Sequence, residues 1–367
     1  MNPEPQSSST QNPHAGQGVE SPRERILLHP EDYVGSVENR SKELWVYESR
    51  SMTRRLVTYV PALYKIFDEI LLFAADNKQR DPTMNFLNVV VDASRCHISV
   101  YYNGHDIPID VDQEEGVYMV EMIFGHLSDC DRNAEEITGY GVKLANIFSM
   151  EFVVEIVDSR CEKKYKQVFS ENMAKKSEPQ ITVCLQGVNW TRMTFKPDLA
   201  RFNMTHLDDD ILGLMWKRAI DVAGMLGTTV QVVFNGHKLP QLNFQQHVYY
   251  YVKAQSKAAG KDLPRIYERV NHQWEVCVSR SEGFFQQIAA RVAKFLNENL
   301  QGVNIGEHEV KRHLCIFINA LMEDPTFDSL TKETLTTPQE RFGSCCELSD
   351  RFVEIVAECL PVFKQLP

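Results

Sequence analysis

Apolar residues at Leu63, Ile66, Phe67, Ile70 and Leu71 recur at intervals of three and four, and that spacing predicts one buried helical face within TYVPALYKIFDEILLFAADNKQR. LWVY (Leu44 to Tyr47) reads as a strand. LNVVVDAS and HISVYYNG are alternating and β-branched, which predicts a neighbouring strand pair, with Gly104 and Pro108 marking a turn after the second. VYMVEMIFGHL reads as helix, and TGYGVKLANIFS as a glycine pair opening a helix. EFVVEIVDS, KKYKQVFS, ITVCLQ and TRMTFKP predict four antiparallel strands. LDDDILGLMWKRAIDVAGML predicts a second long helix, and TTVQVVFNGHKLP a strand plus turn. Small and polar residues in AQSKAAGKDLP mark a boundary near 254–264. Beyond it, HQWEVCVS reads as strand, FFQQIAARVAKFLNENL as helix, and EVKRHLCIFINAL as helix leading into strand; a final helical stretch starts near Ser349. Helices, strands and a glycine loop in this order predict an α+β fold, with a larger unit over 23–255 and a smaller α/β unit over 256–367. No internal repeat is present.

Composition narrows the function classes. The chain has 367 residues, 43% hydrophobic and 24% charged, a mixture with ample material for a core. Its net charge of −11 argues against gripping DNA along the whole length, because phosphate contacts need clustered Lys and Arg. A local basic patch or a partner would have to supply any DNA contact. Nine cysteines fall at irregular spacings without a C-x-x-C, so the expectation is free thiols in a reducing compartment and no metal site built from them. No apolar run reaches the roughly 20 residues needed to cross a bilayer, so no membrane association is expected. Residues 1–22 are rich in Pro, Ser, Gln and Gly, have little to bury, and read as a disordered tail without a targeting signal.

Three segments could carry chemistry. Glu69 and Asn77 are eight residues apart on the first long helix, within about 80° of each other around its axis. One face looking into a cleft and an ordinary solvated face both fit that spacing. YYNGHDIP is a strand ending in Asn-Gly, a turn by itself. In TGYGVKL, Gly139 and Gly141 open a helix with Lys143 in its first turn; exposed amides at a helix start favour phosphate, and a plain helix cap fits equally.

Taken in order, YKIFDEILLFAADNKQRDP, YYNGHDIPI, MIFGHL, GYGVKLANIFS, FKPDL and LDDDI resemble a eukaryotic type II DNA topoisomerase. The resemblance continues through NGHKLP, YERVNHQWEVCVS, EGFFQQ and FDSLTKETLT to FGSCCELS, covering nearly everything after residue 23. It implies the N-terminal ATPase region: a Bergerat (GHKL) ATP-binding unit, shared with gyrase B, MutL, histidine kinases and the ninety-kilodalton heat-shock chaperones, followed by a transducer unit. In that family ATP closes two protomers into a gate around DNA. Carried over residue by residue, Glu69 would polarise the attacking water, and Lys332 and Thr331 would belong to the transducer loop that reaches the γ-phosphate. Asn77 and Asn103 would contact the nucleotide, and Gly139, Tyr140, Gly141, Val142 and Lys143 would form the lid over its phosphates. ATP and Mg²⁺ are the implied cofactors, a homodimer or a heterodimer with a full-length topoisomerase II the implied partners, and the nucleus the implied location.

The chain departs from the family pattern at several of these places. Phe73 stands where an asparagine supplies an oxygen to Mg²⁺. Asp106 replaces the second glycine of the adenine-side loop. The lid is shorter before Gly139, Leu330 replaces the transducer glutamine, and a stretch after Gln287 is absent. The metal-binding and DNA-cleaving domains that follow in the family are not within these residues, so this chain alone is not expected to cut DNA. The resemblance therefore implies an ATPase region with impaired hydrolysis. A non-catalytic protein that pairs with a full-length topoisomerase, or the product of a decaying gene copy, are the alternatives.

Overall fold

The computed structural model describes residues 21–105, 107–127, 140–185, 187–280, 286–299, 306, 308, 310, 313–322, 325–327 and 335–360. The chain opens with α1 (Pro22–Leu28), then the hairpin β1 (Arg40–Glu48) and β2 (Ser51–Tyr59). Ser49 and Arg50 make its two-residue turn at φ 50° and 61°, the left-handed geometry that matches strand twist. Then come α2 (Pro61–Arg80), β3 (Phe86–Asp92), β4 (His97–Asn103), α3 (Met119–Gly125), α4 (Tyr140–Ile147), β5 (Ser149–Asp158) and β6 (Lys163–Ser170). The short β7 (Lys175–Lys176) and β8 (Gln180–Val183) lead to β9 (Trp190–Pro197), α5 (Asp209–Leu226), β10 (Gln231–Phe234), β11 (His237–Lys238) and α6 (Phe244–Ala259). The last elements are β12 (Ile266–Arg269), β13 (Trp274–Arg280), α7 (Gln286–Asn299), β14 (Leu314–Ala320) and α8 (Asp350–Glu358).

The large sheet runs β11-β10-β3-β4-β9-β5-β6-β7, with β8 also on β6. The β10–β3 pair is parallel and the others are antiparallel. Alternation turns one face inward: Val89, Val100, Phe152, Tyr165 and Phe195 are essentially unexposed. Against that face lie α2, which buries the apolar stripe read from the sequence, and α4 and α5. A second, smaller core forms where β13 and β14 meet α7 and α8, around Val278, Leu296 and Val356. The mixed sheet with helices on one face is the α+β architecture expected.

Several local readings need correction. Ser21 and Pro22 are not tail: the Ser21 hydroxyl caps Glu24 N–H, the Glu24 carboxylate returns to Ser21 N–H, and Pro22 presets the first helical φ. The strand β2 and the helix α6 were not foreseen. SMTRRLVTY carries two arginines, and FQQHVYYYVKAQSKAA buries only Val248, Tyr251 and Val252 among many polar residues. The expected seam at 255/256 falls inside α6. That helix is fixed by an Asn243–Gln246 capping box and stops at Gly260 in the left-handed region.

A polar cluster pins α2, α5 and α6 together. Asp68 accepts from Arg218 Nε at 2.5 Å and from its terminal nitrogen at 3.2 Å. One turn on, Asp221 pairs with Lys217 at 2.6 Å, accepts the Tyr251 hydroxyl at 2.5 Å and meets His247 Nε2 at 2.9 Å. Burial works to raise the Asp221 pKa, but Lys217, His247 and Arg218 outweigh it and hold the carboxyl far below its ordinary 3.8. A depressed carboxylate contributes stability that is complete above its unfolded pKa and is lost as pH falls below it. Asp221→Asn should therefore melt lower than the parent by a constant gap from pH 7 to about 5, narrowing as the pH drops through about 4. Thermal melts across that range read the gap; one that does not narrow in acid removes the ionised Asp221 from the account.

Candidate functional site

Three successive turns of α2 present Glu69, Phe73 and Asn77 along one stripe, and the loop after β4 and the start of α4 close over it. Glu69 lies in the middle of α2 and is ion-paired with Lys65 one turn earlier. Gly141 in the first turn of α4 presses onto this carboxylate: a Cβ at 141 would stand 2.8 Å from Glu69 Cγ and overlap the carboxyl group. A side chain at 141 would have to displace the Glu69 side chain, so the glycine lets α4 start directly against that carboxylate. Tyr140, Val142 and Lys143, also in that first turn, are buried.

Asn77 is fully buried. Its Nδ2 reaches Met84 Sδ at 4.0 Å, and its Oδ1 has no hydrogen-bond partner among the described residues. A buried acceptor left empty costs about 1–3 kcal/mol, which a donor from a bound molecule would offset. Over it sits Gly104 at φ +110°, where a Cβ would come 3.3 Å from Asn77 Nδ2 and 2.7 Å from Asp81 Oδ2. Asp81 ties the floor to the loop by accepting His105 N–H at 2.7 Å, while its other oxygen accepts the Thr83 hydroxyl and amide. Burial opposes ionisation here, yet these hydrogen bonds hold the Asp81 carboxyl below its ordinary value. Sequence reading passed over Asp81; its signal was the Asp-Pro-Thr turn directly after a helix.

Asn103 is placed differently. Its Oδ1 accepts from Asn85 N at 3.1 Å and Phe86 N at 2.9 Å, and its Nδ2 donates to Asn85 Oδ1 at 2.9 Å. The carboxamide clamps the start of β3 to the end of β4 rather than facing Asn77. Gly139, Thr331 and Lys332, with Asp106 and Leu330, lie outside the described residues.

Phe73 stands at the position where the resemblance implies an oxygen ligand for the metal. Its ring packs edge-on to Phe124 of α3 with centroids 5.6 Å apart, and the Arg80 guanidinium lies 5.2 Å above it. Mg²⁺ demands oxygen ligands in a tight octahedron, and this turn offers an aromatic ring under a cation. The residues present therefore fit the polar and close-backbone demands of a nucleotide through Asn77, Gly104 and Gly141, and they do not fit the metal at Phe73.

A helix-backed mixed sheet, an acid and a buried asparagine on its first long helix, and glycine-lined loops closing over them define a Bergerat-type ATPase unit with a transducer-type unit after it. The comparisons agree. The solved ATPase region of Saccharomyces cerevisiae topoisomerase II superposes with a TM-score of 0.84 at 37% identity, covering 95% of this chain and 97% of that one. DNA topoisomerase 2 of Arabidopsis thaliana is 49% identical over 91% of this chain, and human DNA topoisomerase 2-alpha 42% over 92%. The DNA gyrase B family model matches residues 279–365. The chain belongs to the type II DNA topoisomerase family, as its N-terminal ATPase and transducer region. It spans about a quarter of the length of the curated relatives it matches.

Proposed function

We propose that this chain holds an adenine nucleotide weakly and without a metal, hydrolyses it poorly, and acts by pairing with itself or with a full-length topoisomerase II in the nucleus. The carrying observation is the Phe73 ring, seated between Phe124 and Arg80 where the family places an oxygen ligand for Mg²⁺. A bound ATP would bring three phosphates whose charge needs neutralising, and positioning with charge stabilisation makes up most of phosphoryl-transfer catalysis. Asn77 would orient the nucleotide with its open Oδ1, the Gly104 loop would admit it closely, and the start of α4 would face its phosphates. Glu69 would stand as the water-orienting carboxylate, already engaged by Lys65. In an ATP-gated clamp for DNA, such a subunit would close poorly on its own nucleotide.

Titrating a non-hydrolysable ATP analogue with and without Mg²⁺ tests the reading. The expected result is weak binding that Mg²⁺ changes little, with phosphate release from ATP no greater than that of Glu69→Ala. Mg²⁺-dependent release well above that variant overturns it. Size-exclusion chromatography with a full-length topoisomerase II checks the partner; absence of both mixed and self dimers sinks the pairing role.

A further inference from the structure

Away from the nucleotide site, a groove of about 1000 Å³ opens along the seam between the two units. Its walls are the turn of the β1–β2 hairpin, the C-terminal end of α6, the end of β13 and His313 just before β14. The lining inverts the sign of the molecule. On a chain of net charge −11, the groove gathers Arg54, Lys257, Lys261, Arg280 and His313 against one carboxylate, Glu48. That carboxylate is engaged elsewhere, by Arg55 Nε at 3.1 Å. Arg54 has a loose, exposed partner in Glu43 at 3.4 Å. Lys257, Lys261, Arg280 and His313 form no ion pair among the described residues. Offsetting the α6 dipole accounts for Lys257, in the last turn, and not for the other three.

Arg54, Lys257, Lys261 and Arg280 come from separate elements, and the last three have no ion-pair partner among the described residues, so the groove offers positive charge that an anion would neutralise. The shape bounds that anion. About 1000 Å³ is at the upper end of small-molecule sites, ample for a chain of phosphates. The half-buried Trp45 supplies a firm wall, edge-on to Tyr251 at 5.3 Å. We propose that this groove is a second anion site, taking a compact polyphosphate that bridges the hairpin and α6 to the β13–β14 unit. Its charges would be met by Lys257 and Lys261 from one side and Arg280 from the other, with the His313 ring as a further hydrogen-bonding group.

The test is calorimetric titration of the full chain with sodium tripolyphosphate at low salt. The expected result is one site per chain, weakened about tenfold or more by Lys257→Glu combined with Lys261→Glu. Both lysines are exposed, so the fold should hold; an unchanged thermal melt checks this, and Arg280→Gln should weaken binding from the opposite wall. Undiminished affinity in the double variant would place the anion at the nucleotide site and overturn the proposal. So would an absence of tripolyphosphate binding, whether or not a duplex oligonucleotide binds in a lysine-dependent manner.

Discussion

Phe73→Asn should make nucleotide binding depend on Mg²⁺ and raise affinity for a non-hydrolysable ATP analogue by about ten- to a hundredfold in its presence. The range follows from recovering one charge-assisted oxygen contact to the metal that neutralises the phosphates, ~1.5–3 kcal/mol. The substitution removes a ring held by Phe124 and Arg80 and puts an amide oxygen one turn from Glu69 and one from Asn77. Losing the aromatic contact should lower stability by about 1 to 2 kcal/mol, so melting temperature falls while affinity rises. Opposite movement of the two readouts separates a functional effect from a repacking one. If affinity stays flat with Mg²⁺ in the variant, Phe73 is not what keeps the metal out.

Arg218→Met should cost on the order of 3 kcal/mol in denaturant unfolding, because it leaves Asp68 charged and unpaired and deprives Asp221 of one of its cations. The side chains of Arg218 and Asp68 keep 26% and 16% exposure, which places the effect at the lower end of the range for breaking a buried pair. Asp68→Leu combined with Arg218→Met should cost less than Arg218→Met alone, since no orphan charge at 68 remains. A double variant as unstable as the sum of the singles would show that the pair contributes through packing. Because α2 carries Asp68 beside Glu69, loosening this pair should also loosen the seating of Glu69 against Gly141.

Periodicity decided most of the fold. The α2 stripe, the alternating strands and the α5 pattern are local signals, because a helix or strand half in the core must repeat its apolar residues at its own period. The β2 strand and α6 escaped for the same reason in reverse. Arg54 faces solvent while Arg55 turns inward to pair with Asp210 of α5 at 2.6 Å, and α6 buries a narrow strip, so neither pattern dominates its segment.

The chain's own residues determined the ancestry and the α+β class, and raised Phe73 as a position where the resemblance implies an oxygen ligand. The tertiary structure alone decided what those residues touch. Asn103 looked like a nucleotide contact and clamps two strands; Gly141 looked like a phosphate loop and also makes room for Glu69; Asp81 was unmarked and ties α2 to the Gly104 loop. It also left Asn77 Oδ1 open and gathered Arg54, Lys257, Lys261 and Arg280 into one groove. The physical reason is range. Spacing along a chain reports which face a residue shares, whereas hydrogen-bond partners and charge clusters arise between elements far apart in sequence, and packing chooses them.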